Sequence, residues 1–331
     1  MKKLLTMAAA VAIALPIATG AQAQKMKDIK ITQAVASFAF LPISYAKAAG
    51  FYKAEGLNVT QIKTRGGGPD LVALMSGDVQ FNANAGTYQI GAIKKKRPLL
   101  NVYNFYKRNL ISVVISAKKQ KELGISASAP LAQRAAALKG LRLGMTRPGS
   151  LTHKQLKHLT RVGGLGEKDV RIIAIGGPPS LLAALKRDQI DGFAISPPAD
   201  RIAIARGLAV MWVDNAAGAD PSIDPFMMES IVTTQEYADA NPGVVRAMIR
   251  ATRKAVLEIS RRTPKEVFSV IRGEFKKVKP EIGELAIKAV KPALNLRGNV
   301  TKKMAENTMR LDGRKEVSAD QLFRTYTGKY Q

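Results

Sequence analysis

With 331 residues, 46% of them hydrophobic, the chain can bury a sizeable core, which excludes disordered and fibrous classes and favours two domains over one. Its 52 Lys and Arg against 25 Asp and Glu give a formal charge of +27. The basic residues are spread along the chain, and the densest runs, Lys94-Lys95-Lys96-Arg97 and Lys118-Lys119-Gln120-Lys121, read as solvated surface, so nucleic acid is not an expected partner. There is no cysteine, which excludes disulfides and any cysteine-borne lipid anchor.

Met1-Lys2-Lys3, the apolar run Leu4 to Ala18 and Ala21-Gln22-Ala23 are the basic start, short greasy core and small-residue cleavage site of a secretory signal. Cleavage is expected after Ala23, and no later stretch has the length to cross a bilayer, so the mature protein is expected to be soluble and exported. Ile29 to Ala36 reads as a buried strand, Ser37-Phe38-Ala39-Phe40 as a turn, and Leu41 to Ala49 as a helix stopped by Gly50. A ring of Phe38 or Phe40 either lines a pocket or packs beneath that helix. Leu57 to Lys63 is the second strand. Thr64-Arg65-Gly66-Gly67-Gly68-Pro69-Asp70 then turns into a helix that starts at Pro69, whose missing amide has no partner to lose there. Free amides and the positive end of the helix dipole at this turn suit an anion or a polar head; glycines used only for close helix packing are the plainer reading.

The segment Gly50-Phe51-Tyr52-Lys53-Ala54-Glu55-Gly56-Leu57-Asn58-Val59, the glycines 66–68, Leu71 to Phe81 and the turn at Thr87 occur in one family's order. From about Met26 onward the chain resembles the extracytoplasmic solute-binding proteins of ABC importers in the nitrate/sulfonate/taurine and thiamine-pyrimidine-precursor group. The resemblance implies an α/β, two-lobed, type II periplasmic-binding-protein fold with two doubly wound sheets and two hinge crossings, near residues 107–116 and 213–226. It assigns 24–112 plus 222–331 to one lobe and 113–221 to the other.

Gly77 to Ala83 reads as a strand and Asn84-Ala85-Gly86-Thr87 as the turn before a helix Tyr88 to Ile93; Asn84 and Thr87 there either cap the helix or meet a ligand, capping being the plainer reading. Leu99 to Tyr106 and Leu110 to Ser116 are further runs of strand length, and Ser126 to Leu138 is surface helix or loop. Leu141 to Met145 repeats the opening theme as a strand, followed by the turn Thr146-Arg147-Pro148-Gly149-Ser150-Leu151-Thr152 and a helix His153 to Val162. Three hydroxyls at one helix start exceed what a cap requires, and the resemblance implies ligand contact for Gly149, Ser150 and Thr152. Val170 to Ile175 and Ile190 to Ile195 are strands that end in turns, the second at Ser196-Pro197-Pro198, where the family often carries an aromatic or acidic residue. Turns at strand carboxyl ends share one face of an open α/β sheet, which is where ligands bind. Trp212, on the strand Val210 to Asp214, is expected in the core. The rest is helical, with a helix from Asn241-Pro242 and capping boxes at Thr263 and Ser318.

His153 and His158 lack the spacing of a helical metal pair, phosphate and dinucleotide motifs are missing, and Ser116-Ala117-Lys118-Lys119 matches S-x-x-K without its companions. Neither enzyme chemistry nor a cofactor is expected. The expected protein is a periplasmic, monomeric binder that hands a small anionic or polar solute (sulfonate, nitrate or small carboxylate) to an ABC membrane permease. A thiamine-pyrimidine precursor or other heteroaromatic is the alternative ligand, and a pyrimidine-precursor synthase the alternative class. The candidate pocket residues are Ser37, Phe38, Phe40, Gly67, Asn84, Thr87, Gly149, Ser150, Thr152 and Ser196; Arg65 and Arg147 either pair with the anion or face solvent.

Overall fold

A computed structural model describes residues 26–64, 68–97 and 99–331. The expected leader and the glycine-turn residues Arg65, Gly66 and Gly67 lie outside the described residues. Among the described residues the strands are β1 (Lys27–Gln33), β2 (Leu57–Lys63), β3 (Phe81–Asn84), β4 (Leu100–Asn104), β5 (Ser112–Ser116), β6 (Arg142–Met145), β7 (Arg171–Ala174), β8 (Gly192–Ile195), β9 (Ala209–Val213) and β10 (Ser230–Thr233).

They form two five-stranded sheets of one design, β2-β1-β3-β10-β4 and β7-β6-β8-β5-β9. In each, four strands run in one direction and a strand from beyond a crossing is inserted antiparallel before the last: β10 in the first sheet, β5 in the second. Even the irregularity is repeated, for the inserted strand shifts register against its outer neighbour at Ile231/Val232 and at Val113/Val114. The chain passes between the sheets twice, through 105–111 and 214–229. This insertion decides where a site forms. Because β10 and β5 run backwards, the residues that precede them, Glu229 and Ile111, arrive beside the carboxyl ends of the parallel strands.

Local chemistry explains most element boundaries. Both expected capping boxes are present, Thr263 with Glu266 and Ser318 with Gln321. The helix Pro242–Arg261 buries Val245, Met248, Ile249, Thr252, Val256 and Ile259 along one face. The Gly50 segment ties the first strands to that helix. Gly50 itself takes a left-handed conformation at the start of the short helix Phe51–Ala54. From there the Tyr52 hydroxyl meets Thr252 at 2.9 Å, and Lys254 lies over the Phe51 ring. Trp212 is buried as expected, its indole N–H donating to the Arg134 carbonyl at 2.9 Å. His158 pairs with Asp220 at 2.7 Å in the interior, and no group of three potential ligands able to hold a metal occurs among the described residues.

Three local expectations need correction. Residues 77–80 are a turn, and the strand begins only at Phe81, because Gly77 at φ +80 cannot continue an extended run. The second turn's helix starts at Leu151, two residues before His153, because the Ser150 hydroxyl accepts the His153 amide and so caps it. Asn84 and Thr87 do not cap the helix Gly86–Lys94: the N-cap position is Ala85, and no side chain takes the role. No helix among the described residues is long and apolar enough to cross a membrane.

Candidate functional site

Strand geometry brings the ends of both sheets to one cleft. From the first sheet come Ala34 and Val35 after β1, Phe40 beyond them, Asp70 from the helix after β2, Asn84 at the end of β3, Tyr88 and Glu229. From the second come Ile111 before β5, Thr146, Ser150 and Thr152 after β6, and Ser196 after β8. The cavity they enclose holds about 40 Å³. At ~10–15 Å³ per water this is room for on the order of three waters or one small polar head. Among the bonds that join the two sides, two lie at the turns after β1 and β8. Ser196 Oγ donates to Ser37 Oγ at 2.9 Å, and the Phe38 amide donates to the Pro197 carbonyl at 2.7 Å.

The second sheet's hydroxyls are already occupied with one another. Thr152 Oγ1 accepts from the Thr146 amide at 3.0 Å and meets the Thr146 and Ser150 hydroxyls at 2.9 and 2.8 Å. The first sheet's side is the reverse. Asn84 is 2% exposed, yet neither its Nδ2 nor its Oδ1 has a partner, and Glu229, 5% exposed, leaves Oε2 without one. Thr87 Oγ1 is likewise unpartnered, while its carbonyl accepts from Lys154 Nζ at 3.0 Å and Arg314 Nη2 at 3.1 Å. Each orphaned buried polar atom costs about 1–3 kcal/mol; others lie outside the cavity lining, at Asn82, Asn101 and Gln155 for example, and what sets Asn84 and Glu229 apart is that they face the cavity.

The cleft is acidic although the chain is strongly basic. Burial pushes the Asp70 carboxyl up to about 6, against the pull of a hydrogen bond from the Thr64 hydroxyl and of the Arg147 charge. Burial, with the Asp70 charge adding to it, holds Glu229 well above the usual carboxylate range. The Tyr106 phenol is raised by burial and by Glu229, and its O–H donates to the Phe38 carbonyl at 2.7 Å.

Of the residues expected from sequence, the structure brings Phe40, Asn84, Ser150, Thr152 and Ser196 to this cavity, with Ser37 bonded to its rim. Phe38 packs edge-on against Phe275, ring centroids 4.9 Å apart, and so belongs to the core. Thr87 sits in the first turn of the helix beside Tyr88, and Arg147 bears on the cleft through its charge at Asp70. Gly149 faces elsewhere. With Lys154, Lys157, Arg161, Asp312 and Arg314 it lines a larger, open groove of about 830 Å³ on the flank, away from the strand ends. Burial pulls the Lys154 amine down to about 8 there, while Arg314 and Lys154 hold Asp312 below the usual range despite burial. Arg65 and Gly67 lie outside the described residues.

Sequence reasoning missed Asp70 and Glu229 as site residues. Asp70 in a helix's first turn reads as a dipole partner. Glu229 had a clearer signal, as the single acid in Phe226-Met227-Met228-Glu229-Ser230-Ile231-Val232.

A family model described as NMT1/THI5 like matches residues 37–266, more than half of the chain. No curated protein sequence matches significantly. Among solved structures, one from Bordetella bronchiseptica RB50 is similar at 22% identity and TM-score 0.80, covering 92% of this chain and 95% of that one. The alkanesulfonate-binding protein SsuA from Xanthomonas axonopodis pv. citri, bound to MOPS, is similar at 17% identity and TM-score 0.69, covering 92% and 98%. A Candida albicans protein described as exhibiting the generic periplasmic binding protein structural fold matches at 15% identity and TM-score 0.64, covering 91% and 94%. The two sheets with their flanking helices have that same fold.

Proposed function

The chain belongs to the NMT1/THI5-like family, and from that premise we propose that it is the solute-binding component of an ABC importer. It is exported by its leader, takes a small polar solute between two lobes and presents the closed complex to a membrane permease. The lobes are 24–112 plus 222–331 and 113–221, and they hinge on the two crossings. The observation that carries this reading is the cleft itself: carboxyl strand ends of two like sheets meet across a cavity whose first-sheet lining keeps unpaired, buried polar atoms at Asn84 and Glu229. Such atoms are expensive in an empty protein and are matched once a solute supplies partners. Closure is then coupled to loading, because the solute contacts both lobes only when they meet.

The reading of a binder in preference to an enzyme rests on the family and on what the cleft offers. Among the described residues its lining offers carboxylates, an amide and hydroxyls, groups suited to holding a polar solute. An anionic solute has the support of the sulfonate-binding relative and of the helix start at Gly68 and Pro69. The carboxylates at the same place count against it.

The test is a thermal-shift screen of residues 24–331, unfolded and refolded to strip carried-over solute, against sulfonates, nitrate, carboxylates, amines and pyrimidine precursors. A solute at about a hundred times its dissociation constant stabilises by about 2.7 kcal/mol and raises the melting point by several degrees. Saturable one-to-one binding by any of these supports the reading; a flat response to all contradicts it.

A further inference from the structure

Resting on the reading of the cleft as a solute site, we infer that the solute it takes is an organic cation whose head is a primary ammonium or an amidinium, held between Asp70 and Glu229. Three features of the lining lead there. Among the described residues, the charged side chains that line the cavity are both carboxylates. Glu229 is buried with Oε2 unpartnered, and in the ionised form that oxygen is an acceptor that only a donor satisfies. Asn84, equally buried, offers one unpartnered acceptor and one unpartnered donor beside it, whichever way its amide is turned.

An ammonium brings three donors and an amidinium four, with no acceptor on the charged head. Those donors satisfy Glu229 Oε2, the Asp70 carboxylate and Asn84 Oδ1, and an ether, ring nitrogen or carbonyl on the solute's body takes Asn84 Nδ2. A sulfonate or nitrate presents only acceptors. Beside the ionised acids it would leave Glu229 Oε2 unmatched and set like charges together in a buried cavity, so above pH 6, where Asp70 is ionised, the cation is favoured. Phe40 and Tyr88 line the same space, the Tyr88 ring with the Lys154 ammonium 5.5 Å from its centroid, so the apolar body of a solute meets aromatic carbon there. The second sheet has little to add to the charged head, since the Thr146, Ser150 and Thr152 hydroxyls are bonded to one another.

The charges around the two acids agree with this assignment. Arg147, near Asp70, keeps that carboxyl from rising further, and Tyr106 faces Glu229 as a neutral phenol. With burial holding both carboxyls above their usual range, an arriving cation displaces protons from them. Uptake is therefore accompanied by proton release, and affinity for the cation rises between pH 6 and 8.

The experiment compares matched probes by calorimetric titration of the refolded chain, residues 24–331: benzamidine against benzoate, and butylamine against butanesulfonate, with nitrate alone. Each is run at pH 6 and pH 8, in two buffers of different ionisation enthalpy. Expected is binding of benzamidine or butylamine with release of protons, and tighter at pH 8 than at pH 6, about twofold from the ionisation of Asp70. Glu229→Gln should weaken it tenfold or more without lowering the melting temperature. Preference for benzoate, butanesulfonate or nitrate overturns the cation assignment while leaving the solute-binding reading intact. Absence of binding by every probe at millimolar concentration overturns the assignment, and the wider thermal-shift screen then decides the solute-binding reading separately. Cation binding that Glu229→Gln leaves unchanged also overturns it, by moving the site elsewhere.

Discussion

The two walls of the cleft are built by one topology and finished in opposite ways. On the second sheet's wall, Ser150 caps a twelve-residue helix, and Thr152 Oγ1 joins the Thr146 and Ser150 hydroxyls at 2.9 and 2.8 Å and accepts from the Thr146 amide at 3.0 Å. On the first sheet's wall, the equivalent helix start is capped by Ala85, which contributes no side-chain bond, and Asn84 and Glu229 keep atoms without partners. The residues before the inserted strands repeat the contrast: Ile111 in one sheet, Glu229 in the other. A satisfied wall is rigid and shaped in advance, whereas an unsatisfied one stores free energy that a solute recovers. Under the proposed function, this difference would give recognition of the polar head to the first sheet and positioning to the second.

The sharpest way to break this comparison is Asn84→Leu, which removes both unpartnered atoms at nearly constant volume. Solute affinity should fall at least a hundredfold, about 3 kcal/mol, while the empty protein becomes more stable by about 1 kcal/mol. Calorimetry and urea melts read the two effects separately.

Asp70→Asn tests the same wall through pH. Because the folded pKa of Asp70 is raised from 3.8 to about 6, the group's contribution is fully present below pH 3.8 and is lost as pH rises through about 6. The empty Asn variant should therefore match the wild type near pH 4 and exceed it by on the order of 2 kcal/mol at pH 8. Melts at pH 4, 6 and 8 check the sign.

The second wall should respond more weakly and by another route. Ser150→Ala together with Thr152→Ala should cost about 1 kcal/mol of stability through the lost helix cap and weaken binding roughly tenfold by loosening the wall. A hundredfold loss would mean that these hydroxyls grip the head directly. The smallest effect is expected at the rim. Ser196→Ala removes one hydroxyl bond between the sheets and should shift the closed state by about 0.5–1 kcal/mol, visible as a larger radius of gyration in small-angle scattering of the empty protein.

Much of the fold was legible because it rests on local chemistry. The capping boxes at Thr263 and Ser318, the apolar stripe of the helix Pro242–Arg261 and buried Trp212 follow from spacing and residue type alone. The motif at Gly50 to Val59 marked the family while serving the scaffold, with Tyr52 on Thr252 and Glu55 paired to Arg250 at 2.6 Å. The strand-end turns pointed to the crevice where the cavity lies, yet individual roles were harder to read. A sequence shows that Ser150 and Thr152 carry hydroxyls; it does not show that they bond each other first. Glu229 was hidden for a topological reason. Its arrival at the cleft depends on β10 returning antiparallel between β3 and β4, far along the chain from the first-sheet turns that it joins.

The most direct measurement is a calorimetric titration of refolded wild type and Asn84→Leu side by side with benzamidine at pH 8. One-to-one binding by the wild type, lost in a variant that melts at or above the wild-type temperature, is the predicted result. Equal binding by both would contradict the account, placing the solute away from the first sheet's unpaired wall, for instance in the basic groove at Lys154 and Arg314.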